Sequence, residues 1–129
     1  MSKVIISTDK APSAIGPYSQ AVEANGFLYT SGMIAINPST GILSSGDINE
    51  QTRLVMDNLV ALIESTGSSM GDVIKTTVFL SDMNNFKAMN AIYGEYFKEA
   101  PPARSTVEVA RLPKDVLVEI ECIVNKSGA

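Results

Sequence analysis

The run Val116-Leu117-Val118-Glu119-Ile120-Glu121-Cys122-Ile123-Val124 limits the possible folds of this chain more than any other stretch. Side chains alternate along a β-strand. One face of this strand carries Val116, Val118, Ile120, Cys122 and Val124, all apolar. The other carries Leu117, Glu119, Glu121 and Ile123. Such a strand needs a core on one side, and it brings two carboxylates onto the other. The preceding strand, Arg104–Val109, is read with Arg104, Thr106 and Glu108 on that same mixed face and Val107 and Val109 opposite. The mixed face is either solvated or covered by another subunit, and in the second case Arg104 and Glu119 would line a cleft.

The rest of the chain supplies the partners of this strand. A first strand falls near Lys3–Ser7. The segments Tyr18–Ala24 and Phe27–Ser31 flank Asn25-Gly26, whose two residues tolerate the positive φ of a type I′ hairpin turn. Asp47 is a helix N-cap with Glu50 three residues on, and Val55, Leu59, Leu62 and Ile63 recur at helical spacing up to Gly67. Residues Val73–Leu80 are rich in β-branched types and read as a strand. A second helix is expected from about Met83 to Lys98, capped by Asp82, with Phe86, Met89, Tyr93 and Phe97 on one face. Pro101-Pro102 ends it. The order of elements predicts an α+β fold, with a hairpin at each end and two helices on one face of a mixed sheet. The 129 residues suit a single domain spanning 1–129 and bury roughly two-thirds of the unfolded surface.

The sequence contains no histidine and a single cysteine, Cys122. Ser–His and Cys–His nucleophilic catalysis, His-ligated metals and the common zinc ligand sets are excluded. Chemistry must run on Arg, Glu, Asp, Lys, Tyr, hydroxyls, backbone groups and water. Ten basic residues against fourteen acidic ones give a net charge of −4, which opposes non-specific binding of nucleic acid. The apolar run at the N-terminus is too short for a signal peptide, and no stretch approaches a membrane span. The expected location is the cytoplasm, with no membrane partner.

Several residues can bear chemistry, each beside a plainer role. Arg104 follows Pro101-Pro102-Ala103, so its planar guanidinium could clamp a carboxylate, or pair with Glu108 or Glu121. Glu119 is a solvated strand residue or, if enclosed, a proton relay, with Glu121 competing for that role. Tyr18, after Gly16-Pro17, is a core aromatic or the wall of a pocket. Ser31-Gly32 ends a strand, as a plain turn or as backbone that approaches a ligand oxygen. Asn90 is exposed or has a hydrogen-bonding task, since Asn is a poor helix-interior residue. Phe86 reads as core. Cys122 reads as a buried, inert thiol.

Together these residues carry a resemblance. The stretch Pro102-Ala103-Arg104-Ser105-Thr106-Val107-Glu108-Val109-Ala110-Arg111-Leu112-Pro113-Lys114-Asp115, followed by Val118-Glu119-Ile120-Glu121, closely resembles the motif of the Rid (YjgF/L-PSP) family of reactive-intermediate deaminases. The segments Ala14–Ala21, Thr30-Ser31-Gly32 and Val73–Leu80 fit as well, so the resemblance spans nearly the whole chain. It implies a chorismate-mutase-like fold and a homotrimer with active sites between subunits. The implied activity is hydrolysis of 2-iminobutanoate and 2-iminopropanoate, products of threonine and serine dehydratases, to 2-oxo acids and ammonia without a cofactor. It implies Arg104 as carboxylate clamp, Glu119 as the group that orients water, and Tyr18, Ser31, Gly32, Phe86, Asn90 and Thr106 around the substrate. Many members carry Cys where this chain has Thr106, so a redox role of that thiol is absent here. An endoribonuclease or translation-inhibitor activity and a metabolite-sensing binding module are the alternatives.

Overall fold

Hydrophobic periodicity and turn chemistry place the elements. The computed structural model describes residues 2–126. In chain order they form β1 (Val4–Ile6), β2 (Ala21–Ala24), β3 (Phe27–Thr30), α1 (Ile48–Ser65), β4 (Val73–Leu80), α2 (Phe86–Gly94), β5 (Ala103–Glu108) and β6 (Val118–Asn125). The fold is α+β: one six-stranded mixed sheet in the order β1-β2-β3-β6-β4-β5, with two helices on one face. All neighbours are antiparallel except β4 and β5.

Local chemistry explains the boundaries. Asn25 and Gly26 turn β2 into β3 with φ of 53° and 83°, the left-handed values a tight hairpin needs. Asp47 Oδ1 accepts from the Glu50 N–H at 2.9 Å and starts α1. Gly67, at φ 89°, ends it by donating its N–H to the Glu64 carbonyl. α1 buries Val55, Met56, Leu59, Leu62 and Ile63 against Val118, Ile120, Cys122 and Val124 of β6. Each such side chain removed from water stabilises the fold by about 2 kcal/mol. Cys122 is an inert core residue, with burial pushing its thiol up to about 12.

Three expectations need correction. The second helix is shorter than Met83–Lys98. Met83–Asn85 is a tighter 3₁₀ turn, and α2 ends at Gly94, where lost helix propensity lets the chain tighten into turns. Phe97 still reaches the core from beyond the helix.

β5 and β6 do not form a C-terminal hairpin. β6 is apolar enough to sit inside the sheet, between β3 and β4, and β5 runs parallel to β4 at the edge.

The third correction follows from the second. Thr76 of β4 lies opposite Arg104 on one side and Cys122 on the other; Phe79 lies opposite Val107 and Glu119. Residues directly opposite one another share a face. Arg104, Thr106 and Glu108 therefore lie on the helix face, while Glu119, Glu121 and Val107 lie on the uncovered face. The mixed face read from the sequence pairs the wrong halves of the two strands.

The uncovered face is not simply polar. Phe27, Tyr29, Ile123, Phe79 and Val107 share it with Glu119, Glu121, Thr77 and Lys75, and Val107 remains 42% exposed. No helix of the described residues is long and apolar enough to cross a membrane.

Candidate active site

The first part of the site arises where β3 leaves the ladder. Phe27, Leu28 and Tyr29 pair with β6, and an isolated bridge between Met33 and Ile120 resumes the pairing. Between them the Cys122 N–H has no backbone acceptor and is taken by the Thr30 hydroxyl at 2.9 Å. Ser31 turns to β2 instead. Its N–H donates to the Gln20 carbonyl at 3.0 Å, and its hydroxyl donates to the Ser19 carbonyl at 2.6 Å. The departure of Ser31-Gly32 from β6 opens the space that the Glu119 side chain enters.

Glu119 lies directly against Gly32. A Cβ on Gly32 would stand 1.8 Å from Glu119 Oε2 and 2.7 Å from its carboxyl carbon. Glycine is required here by close approach, not by its φ. The carboxylate is half-buried, and burial, followed by the nearby Glu121, pushes it above the ordinary carboxylate range. It opens into a cavity of about 540 Å³ whose wall includes Tyr18, Gln20, Ser31, Ile34 and Lys114. Tyr18 is 52% exposed, so it is a wall of the cavity and not a core aromatic.

A buried side chain that sequence reasoning used only as part of a motif holds this wall. Gln20 Nε2 donates to the carbonyls of Thr8, Ala11 and Pro12 at 2.9, 3.2 and 2.7 Å, and its Oε1 accepts from the Thr8 N–H at 2.7 Å. A long polar side chain inside a predicted strand start, immediately before the apolar pair Ala21-Val22, was the available signal. Pro113 and Lys114 close the other side; Lys114 and the following Asp115 lie in the left-handed region, at φ 55° and 58°, and Arg111 pairs with Asp115.

The second part lies on the opposite face. Arg104 donates from Nη1 to Asn90 Oδ1 at 2.7 Å, and its guanidinium carbon stands 5.5 Å from the Phe86 ring centre and 4.8 Å from that of Tyr93. Phe86 is half-buried, serving the core and Arg104 at once. The Thr106 hydroxyl is buried near this cluster without a hydrogen-bond partner among the described residues. Among the described residues no carboxylate lies within ion-pair distance of Arg104. Glu108, one of its proposed partners, accepts from the Met83 N–H at 2.7 Å, and Glu121, the other, is on the far face.

The eight candidate residues thus fall into two groups of four. Tyr18, Ser31, Gly32 and Glu119 line the cavity, while Phe86, Asn90, Arg104 and Thr106 gather beside α2 and the edge strand β5. The sheet lies between them.

The sequence profile of the family described as Endoribonuclease L-PSP matches residues 8–126. The chain belongs to this family, the Rid family. A RutC family protein of Pyrococcus horikoshii is 56% identical, covering 96% of this chain and 98% of the relative. The chloroplastic Reactive Intermediate Deaminase A of Arabidopsis thaliana is 43% identical, covering 95% of this chain and 66% of the relative. Among solved Rid structures, that of Escherichia coli TdcF with bound serine superposes with a TM-score of 0.90 at 45% identity, over 95% of this chain and 98% of the other. The six-stranded sheet with two helices is thus the fold of its Rid-family neighbours.

Proposed function

We propose that this Rid-family chain is an imine deaminase, and that two copies build each of its active sites. The observation that carries the reading is Arg104. Its guanidinium is held by Asn90 and two aromatic rings, yet among the described residues it has no carboxylate partner. A fixed, unpaired guanidinium is a receptor for a planar carboxylate, which it can bind through two parallel hydrogen bonds. The relative named Reactive Intermediate Deaminase A and the serine in TdcF support a small substrate that carries both a carboxylate and a nitrogen.

Glu119 cannot serve a substrate held by Arg104 of the same chain, because the sheet separates them. A neighbouring copy that sets its uncovered face against β5 would bring the two halves together. It would also cover Val107 and Tyr29. Contact between unlike surfaces, repeated around a closed ring, gives one complete site per copy. We assign three copies, the number the family resemblance implies.

The substrates are 2-iminobutanoate and 2-iminopropanoate. Arg104 holds the carboxylate. Water, hydrogen-bonded to Glu119, attacks the electrophilic imine carbon; Glu119 accepts its proton and returns it to the departing nitrogen. One imine and one water give one 2-oxo acid and one ammonia. The carbon is already activated, so no cofactor takes part in these steps. Tyr18, Ser31 and Gly32 shape the water side, and Phe86, Asn90 and Thr106 the carboxylate side.

The test follows semicarbazone formation from imine released by a threonine dehydratase. Wild type is expected to lower the trapping rate, and Arg104→Ala to leave it at the uncatalysed level. Equal trapping with wild type, variant and no protein would refute the deaminase reading for these substrates.

A further inference from the structure

The carboxylate side of the site contains a buried contact that the proposed reaction does not use directly. Tyr93 is only 5% exposed, and its hydroxyl lies 2.7 Å from the Thr76 hydroxyl, also buried. One side of the Tyr93 ring meets Phe97, with ring centres 4.8 Å apart, and the Arg104 guanidinium stands 4.8 Å from the ring centre. Thr76 is also the β4 residue directly opposite Arg104 in the sheet. The three residues close a loop: strand pairing joins Thr76 to Arg104, a hydrogen bond joins Thr76 to Tyr93, and the Tyr93 ring meets the guanidinium.

A cation over an aromatic ring is attracted to it, and the attraction strengthens where water is excluded. It orients the cation only if the ring is itself fixed. Packing against Phe97 sets the ring's depth in the core. Rotation and sliding are stopped by the one polar atom of the side chain, the hydroxyl, which has Thr76 as its partner. Asn90 then sets the in-plane direction of the guanidinium. Either hydroxyl can donate in this pair, so the anchor survives rotation of either proton.

We propose that Tyr93 and Thr76 are positioning residues for Arg104: the hydrogen bond between their hydroxyls fixes the ring that aims the guanidinium at a carboxylate. The inference rests on the reading of Arg104 as a carboxylate clamp, and it names the residues that determine how well the clamp is aimed. Neither residue touches substrate. The effect is on affinity for the carboxylate, not on the protons that Glu119 moves.

Two near-isosteric variants test it. Tyr93→Phe keeps the ring and Thr76→Val keeps the volume, and each removes the same hydrogen bond. Affinity for 2-oxobutanoate is measured by calorimetry, turnover by the semicarbazide assay, and the Arg104 Nε–Hε resonance by NMR of the ligand-free protein, identified by its loss in Arg104→Ala. The expected result is a Kd and KM raised about five- to tenfold in each variant, kcat within twofold, and a double variant no weaker than the worse single one. The Arg104 resonance should move in both variants as the ring currents on it change. Unchanged Kd in folded variants, or a loss confined to kcat, would overturn the proposal. If Arg104→Ala binds 2-oxobutanoate as wild type does, the clamp reading fails and the aiming role falls with it. A moved resonance would then mark the contact as packing alone. If Tyr93→Phe does not fold, Thr76→Val decides.

Discussion

The placement of Arg104 and Glu119 on opposite faces of one sheet leads to a quantitative test of the shared site. Take two inactive variants, Arg104→Ala and Glu119→Gln. Neither has an intact site alone, wherever the site lies. Co-expressed in equal amounts with different tags, they assemble at random. A site built from two copies is intact when its Arg104 comes from the Glu119→Gln copy and its Glu119 from the Arg104→Ala copy. Each choice has a probability of one half, so about a quarter of the sites are whole. Trimers purified through both tags hold one whole site in three, whichever variant is in excess, so they should recover activity well above that of either parent, at about a third of wild type per chain. The readout is the slope of semicarbazone suppression against protein concentration. A mixture no more active than its parents, in oligomers shown to contain both tags, would refute the shared site and with it the argument from strand pairing. The outcome depends on the face to which each residue belongs and not on the precise pose of the substrate.

The remaining predictions probe each half and the core. Gly32→Ala should lower kcat/KM by about a hundredfold, because a Cβ at 1.8 Å forces the Glu119 carboxylate more than 1 Å from its seat; the melting temperature should fall little, as the far end of a flexible side chain can move. Glu119 needs its charged form to accept a proton, and burial raises its pKa, so activity should fall on acidification at a pH above the usual 4.5, and Glu119→Gln should show no such limb in its residual rate. The same shift means that ionised Glu119 destabilises the fold: the stability advantage of Glu119→Gln should be absent below pH 4.5 and grow as pH rises from there through the raised pKa, as read by denaturant titration. Leu59→Ala, at a fully buried position of α1, should cost about 3 kcal/mol in the same titration.

Much of the fold was legible because its signals are local. Asn25-Gly26, the Asp47 cap, the β-branched run Val73–Leu80 and the alternation of β6 each act within a few residues, and each appears where the sequence places it. The end of α2 comes earlier than Pro101-Pro102 because Gly94 is a poor helix former. The arrangement of strands was not legible, because it depends on which strand reaches the centre of the sheet. A short turn around Pro113 read as a hairpin; the chain instead uses that connection to carry β6 past β4. Relative facing then follows from pairing through β4, which no pattern within β5 alone can reveal.

That error exposes how the site is built. Within β5 the usual pattern is inverted: Arg104 turns toward the helices and Val107 outward to the uncovered face. An isolated edge strand gains nothing by that choice. It becomes intelligible if the outward face is buried in the assembled protein and the helix side forms a rim where a guanidinium meets ligand. Departures from local rules concentrate at functional surfaces, where another requirement outweighs propensity. Gly32 shows the same logic on the other face, since it leaves the ladder and gives up a side chain to seat a carboxylate. Both departures lie on surfaces that one chain leaves open, and under the proposed function they would make the reaction depend on assembly. On the proposed reading a lone chain would carry its carboxylate clamp and its water-orienting group on opposite faces of one sheet, and so would bind 2-oxo acids without turning over imines.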